Sequence, residues 1–297
     1  MSIEPAVAAV RQRLGESTRV QPLAASGFAA TLRAQRGGEA FFVKALPAAE
    51  GERLRAEAEG LRALAATRTI RVPQVADCGD AESFTLLALE WLEFAPPDAR
   101  FGARFGARLA ALHAAPPPFS GYGWPRDNWL GATCQEAATS EGAGTSQWIA
   151  FFRERRLRAL ARRLGRERHA PLLEAVEAAI AALPRLFDDY EPRPSLIHGD
   201  LWSGNWGMLA DGTPVIFDPA VSVSDAEAEL AMMELFGAPP SGFFAAYRAH
   251  GRLHEGYARR RPLYQLYHLL NHVLLFGDGY AGAALACARE VAGTARL

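Results

Sequence analysis

Residues 195–220, SLIHGDLWSGNWGMLADGTPVIFDPA, decide the reading of this chain. They form a strand-like island in a sequence whose pattern is otherwise helical after about residue 93. Inside the island, Asp211-Gly212 is a two-residue hairpin signal flanked by apolar residues. Such a hairpin returns the chain on itself and carries Asn205 and Asp218 to the same end. Asp200 precedes Asn205 closely, so three oxygen-bearing side chains are expected to gather at one place. Singly, each has ordinary uses, since Asp-Gly and His-Gly-Asp make turns and Asn caps helices. Together, in this order and spacing, they point to chemistry.

Further toward the N-terminus, the chain carries 32 basic residues, of which Lys44 is the only lysine. Arg serves surface charge as well as Lys does. A single surviving Lys therefore marks a site that wants a compact ammonium on a flexible stem rather than a planar fork. Lys44 closes the apolar run Phe41-Phe42-Val43 of an expected strand over 41–46, and a second, buried strand is expected over 84–92. Between them, residues 48–66 predict a helix with Leu54, Leu61 and Leu64 on one face. Glu57 falls in the middle of that face. A carboxylate there needs a partner, which Lys44 supplies, or else it snorkels to water at the helix edge. Helices are also expected over 101–115, with Phe101, Phe105, Leu109 and Leu112 on one face, and over 147–164, 172–186 and 243–287. The fold class that follows is α+β in two lobes with a cleft between them: a small strand-rich N-terminal lobe over 1–93 and a larger, mainly helical C-terminal lobe over 94–297.

His198-Gly199-Asp200-Leu201 followed by Asn205 keeps the spacing of the kinase catalytic loop H-R-D-L-x-x-x-N, with Gly in place of Arg. Asp218-Pro219-Ala220 stands where kinases place a metal-binding Asp. Phosphoryl transfer asks the protein for positioning and charge neutralisation more than covalent work. Asp200 can accept or orient the proton of an attacking hydroxyl. Asn205 and Asp218 offer the hard oxygen ligands that Mg²⁺ prefers. Lys44, held by Glu57, would neutralise the phosphates of ATP that are not transferred.

The run LIHGDLWSGN (196–205) closely resembles the signature of the fructosamine/ketosamine kinase family, a relative of the aminoglycoside phosphotransferases within the protein-kinase-like superfamily. The resemblance extends through FFVK, RAEAEGLRAL, YGWPRDNWLGATCQ, WIAFFRERRL, ELAMMELFG and YQLYHLLNHVLLFG, nearly the whole chain. It implies transfer of the ATP γ-phosphoryl group to the 3-hydroxyl of a fructosamine or ribulosamine, and so a role in repairing glycated amines. It also implies that Asp200 is the base, that backbone around Glu90 to Leu92 contacts adenine, and that Trp202, Asp127 and Asn128 line the sugar-amine site. Trp202 would be a sugar platform or a packing residue beneath the catalytic loop. The phosphate-covering loop over 25–30 keeps a single glycine, Gly27, where close approach of backbone to phosphate favours several. The family's Gly-Asp-Arg-Glu-x-Asp run appears here as Ser224-Asp225-Ala226-Glu227-Ala228-Glu229, and Gln135 is followed by Glu136-Ala137 rather than Pro-Asn. These departures keep two other readings open: a kinase of another small alcohol, such as an aminoglycoside or amino alcohol, and a non-catalytic ATP-binding pseudokinase.

Composition narrows the partners. A formal charge of −1 gives no electrostatic reason to expect nucleic acid or an anionic membrane. The expected partner is a small sugar-amine, free or carried on a glycated protein. No stretch is apolar for long enough to span a bilayer, and residues 1–5 lack the start of a signal peptide. Cys78, Cys134 and Cys287 follow no metal-binding spacing, so reduced thiols in a cytoplasmic protein are expected. His268 and His272, four apart on an expected helix, read as packed histidines rather than zinc ligands. The arginine-rich stretch 153–168 reads as a solvated helix face.

Overall fold

The computed structural model describes residues 3–25 and 29–294. Gly27 and the centre of the loop around it lie outside the described residues. Strands β1 (Arg19–Ala25), β2 (Ala30–Arg36), β3 (Glu39–Pro47), β4 (Val75–Ala81) and β5 (Phe84–Glu90) form an antiparallel sheet in the order β1-β2-β3-β5-β4. Helix α1 (Glu4–Leu14) precedes them, and α2 (Glu52–Ala66) lies between β3 and β4. β5 is buried along nearly its whole length because alternate residues serve opposite faces. Phe84, Leu86 and Ala88 pack in one core with Ala6, Ala9 and Val10 of α1. Leu87 and Leu89 belong to a second core with Leu54, Ala58 and Leu61 of α2.

That second core does not stop at the sheet. It continues through α3 (Phe101–Ala114), whose expected face of Phe101, Phe105, Leu109 and Leu112 is buried, and on into the helices that follow. Before α3 comes β6 (Phe94–Ala95). After it come the short strands β7 (Gly123–Trp124), β8 (Asn128–Leu130), β9 (Thr133–Gln135) and β10 (Ala138–Thr139). Next are α4 (Thr145–Phe151), a π-helical segment (Phe152–Arg158), α5 (Ala159–Ala161) and α6 (Arg166–Leu186). Strands β11 (Pro194–Ile197), β12 (Trp206–Leu209), β13 (Pro214–Ile216) and β14 (Ser222–Asp225) follow. The chain ends in α7 (Ala226–Met233), α8 (Phe243–His250), α9 (Tyr257–Phe276) and α10 (Ala281–Thr294).

The hairpin forms, with a longer turn than its sequence signal suggests. β12 and β13 pair antiparallel with Trp206 opposite Ile216, but the Leu209 N–H donates to the Thr213 carbonyl, leaving Ala210, Asp211 and Gly212 as a three-residue loop. Gly212 takes the left-handed conformation, φ +84°, that such loops require at their last position. β6 adds to the other edge of β12.

Two charge groups are buried, and the first departs from the expected solvated helix face. In the arginine-rich stretch, the π-helical segment turns Arg156 inward. It is buried, donates to Ser222 Oγ at 3.1 Å and lies over the ring of Phe151 at 4.8 Å. The altered run 224–229 is also internal. Asp225 accepts from the hydroxyls of Tyr190 and Tyr264 at 2.8 and 2.5 Å and caps α7 through the Glu227 N–H. Glu227 is bidentate to the fully buried Arg260 at 2.7 and 3.0 Å, whose guanidinium stacks on Tyr190 at 3.8 Å. Arg260→Met, which strands the Glu227 carboxylate, should destabilise the fold by about 3–5 kcal/mol. In urea unfolding, the double variant with Glu227→Met should recover most of that loss.

Candidate active site

A cleft of about 530 Å³ is lined by Lys44 from β3, Glu57 from α2, Asp200, Trp202 and Asn205 from the loop after β11, Asp218 from the end of the hairpin, and Asn128 from β8. Lys44 is 8% exposed. Its ammonium donates to both oxygens of Glu57 at 2.8 and 3.0 Å and lies 2.9 Å from Asp218 Oδ1. Burial alone would depress the lysine pKa, but Glu57 and then Asp218 outweigh it, so the value is raised and the group stays charged. Glu57 therefore turns inward to its partner rather than snorkelling to water. A flat guanidinium does not fill this position between two carboxylates in the same way.

The catalytic loop is fixed on both sides. Gly199 has φ +85°, and a Cβ there would sit 2.0 Å from the Ala220 carbonyl oxygen, so only glycine fits. His198 Nε2–H donates to the Phe217 carbonyl at 2.8 Å, which leaves Nδ1 to accept the Asp200 N–H at 3.3 Å. The Ala220 N–H donates to the His198 carbonyl at 2.8 Å, and the Phe217 N–H to the Asn205 carbonyl at 3.1 Å. These bonds bracket Asp218, a non-glycine residue held at φ +60°, a strained conformation that clusters at functional sites.

Beneath the loop, the Glu229 carboxylate accepts the backbone N–H groups of His198 at 2.7 Å and Gly199 at 2.8 Å, with His113 Nε2 at 3.4 Å. Glu229 carries no apolar-pattern signal; the sequence marks it only as the last residue of the altered run and the first of ELAMMELFG. Burial, then the charges of Asp218 and Glu229, push the Asp200 carboxyl up to about 7 against the opposing hydrogen bond from Asn205. A base poised near neutrality suits proton transfer.

The donors present fit a hydrated magnesium ion. Asn205 spends its amide N–H groups on Asp200, at 2.8 Å to the carbonyl and 3.4 Å to Oδ2. Among the described residues its Oδ1 accepts no hydrogen bond. The Asp218 side chain is 43% exposed, which gives an ion there room for its waters.

The remaining expected residues divide. Trp202 is 39% exposed in the cleft, with its ring packed over Gly204, where a Cβ would meet the indole at 2.4 Å. It packs over the loop and leaves part of its ring exposed in the cleft. Asn128 lines the cleft, but its amide is used within the protein, donating to the Val221 carbonyl at 2.5 Å and accepting from Gln135 Nε2 at 3.0 Å. Asp127 is outside the lining and accepts the Ala137 N–H at 2.6 Å. The Glu90 side chain pairs with Arg71 at the end of β5, and among the described residues the Leu92 N–H makes no backbone hydrogen bond. Sequence reasoning missed Arg53, Phe236, Asn271 and Tyr280, and left His272 as mere packing; all five line the cleft. The available signal was the adjacent Asn271-His272 pair on an otherwise apolar stretch of helix.

The family model described as fructosamine kinase matches residues 3–292. A protein of Synechocystis sp. named a probable ketoamine kinase is 42% identical over 247 residues, covering 82% of this chain and 80% of the relative. The chloroplastic protein-ribulosamine 3-kinase of Arabidopsis thaliana is 34% identical over 254 residues, covering 84% and 76%. A Thermobifida fusca structure named for fructosamine-3-kinase superposes with a TM-score of 0.82 at 34% identity, covering 98% of this chain and 99% of that one. The aminoglycoside phosphotransferase APH(4)-Ia shares the fold, with a TM-score of 0.68 at 17% identity over 98% and 99% of the two chains.

Burial would raise the Glu229 carboxyl, but His113 and the backbone donor of His198 outweigh it and hold it below the ordinary glutamate value. Its contribution to stability is therefore complete above the unfolded value of about 4.3 and is lost as pH falls through the depressed folded value. Glu229→Gln should cost about 1–3 kcal/mol at neutral pH. In denaturant titrations the gap to the parent should narrow as the solution is acidified.

Proposed function

This chain belongs to the fructosamine kinase family, and from that premise we propose that it transfers the ATP γ-phosphoryl group to the 3-hydroxyl of a ketosamine, a fructosamine or ribulosamine, as a deglycation step. One observation carries this reading. The only ammonium on a lysine side chain is held between Glu57 and Asp218, 2.8 and 2.9 Å away, in the cleft that also contains Asp200 and Asn205.

In the proposed mechanism Lys44 holds the non-transferring phosphates, with Glu57 fixing its position. The partly buried backbone of 90–92 receives adenine, with the Leu92 N–H, which among the described residues makes no backbone hydrogen bond, as donor. Asp200 orients the acceptor hydroxyl and takes its proton, and its raised pKa makes it a competent base near neutrality. Asn205 and Asp218 would hold Mg²⁺, which when bound supplies neutralising charge to the phosphates. Trp202 offers its ring face to the sugar. Intact acid, amide and lysine positions speak against a non-catalytic reading.

We extend the acceptor class to adducts carried on proteins, a reading supported by the exposed Trp202 in the cleft. We place the activity in the cytoplasm, where ATP is at hand and thiols stay reduced; Cys78, Cys134 and Cys287 are all free.

ATP-dependent phosphate incorporation into small fructosamines and ribulosamines tests the reading, and no turnover across such a panel would overturn it. Asp200→Asn should lower kcat by about 10²–10⁴-fold while nucleotide binding, followed by calorimetry, is retained. Lys44→Arg should instead weaken nucleotide binding by about tenfold or more, since the wide fork cannot sit between the two carboxylates.

A further inference from the structure

One part of the cleft, where aromatic rings gather, has its own chemistry. Phe236, His272, Phe276 and Tyr280 line it as a contiguous aromatic group: Phe236 lies 4.5 Å from the His272 ring, and Tyr280 lies 5.0 Å from His272 and 6.2 Å from Phe236. Two hydrogen-bond acceptors adjoin these rings on α9. His272 Nδ1–H donates to the His268 carbonyl at 2.8 Å, so the neutral ring presents Nε2 as an acceptor. Burial lowers the His272 pKa, which favours that neutral form. Asn271 is 1% exposed, lines the same cleft, and its Oδ1 has no hydrogen-bond partner among the described residues. A buried orphan acceptor calls for a donor from outside the protein.

We propose that this part of the cleft, Asn271, His272, Phe236 and Tyr280, recognises the protonated amine of the acceptor. The inference rests on the ketosamine reading above and deepens it. A ketosamine nitrogen is a secondary amine, and its protonated form carries two N–H donors and one positive charge. Asn271 Oδ1 and His272 Nε2 match the two donors, while the aromatic faces attract the charge.

Asp200 and Asn271 line the same cleft, and in a ketosamine only three single bonds of about 1.5 Å separate the 3-carbon from the nitrogen, so one molecule would meet both residues.

The test uses the full chain and two acceptors that differ at one atom: a ketosamine and the same sugar with an ether oxygen in place of the nitrogen. The parent protein should prefer the amine, by about tenfold or more in kcat/KM. Phe236→Leu and Asn271→Leu should each bring that ratio toward one, mainly through KM for the amine. Phe236→Leu guards against a fold defect in Asn271→Leu, because Asn271 also donates to the Leu130 carbonyl. Equal losses for both acceptors, or a parent that does not discriminate, would assign these residues to sugar hydroxyls or to packing and overturn the inference. Turnover of neither acceptor by the parent would instead overturn the ketosamine reading, and this inference with it.

Discussion

The arrangement of this molecule depends on a buried cation held by two carboxylates from different parts of the chain. Taking an ammonium out of water costs several kcal/mol unless its new surroundings return the lost interactions. Here Glu57 and Asp218 both do so, one from the helix packed on the sheet and the other from the end of a distant hairpin. The contact is therefore electrostatic and architectural together. It ties the strand-rich part to the helical part across the cleft, and the hydrophobic core that runs from α2 into α3 holds the two surfaces in register.

The catalytic loop shows a second constraint, the satisfaction of backbone groups. A loop that projects an acid into a cleft leaves its own N–H groups without a ladder to join, and a buried N–H without an acceptor is costly. Glu229 receives two of them, the His198 side chain a third, and the Phe217 carbonyl accepts the return bond from the imidazole. Neighbouring buried acids, Asp225 and Glu227, are each answered by tyrosine hydroxyls or by Arg260. The altered run 224–229 thus has internal partners for all three of its acids.

Much of this was legible in the sequence, for identifiable reasons. Lys44 and Glu57 announced themselves because one was unique in its type and the other violated an apolar face, and both anomalies are local. Asp200, Asn205 and Asp218 were legible through spacing, since a hairpin converts separation along the chain into proximity. Arg156 and Glu229 were not, because their burial is decided by elements that pack against them and not by their own neighbours. The π-helical turn that directs Arg156 inward leaves no periodic trace in a stretch of arginines. The aromatic part of the cleft was hidden for the same reason: Phe236, His272 and Tyr280 come from three segments whose meeting is a tertiary fact. The hairpin turn was read one residue too short, because Asp-Gly also closes three-residue loops with glycine in the left-handed position.

The scarcity of lysine has a consequence for the protein's own durability. Unprotonated primary amines attack the carbonyl carbon of reducing sugars, and the ε-amine of lysine is the usual side-chain nucleophile. This chain offers a single such group, sunk beneath the surface, clasped by two carboxylates and kept protonated. Surface cations are carried instead by guanidinium groups, which do not condense with aldoses in that way. This member of the fructosamine kinase family is thus built with almost no side-chain amine on which such damage can begin.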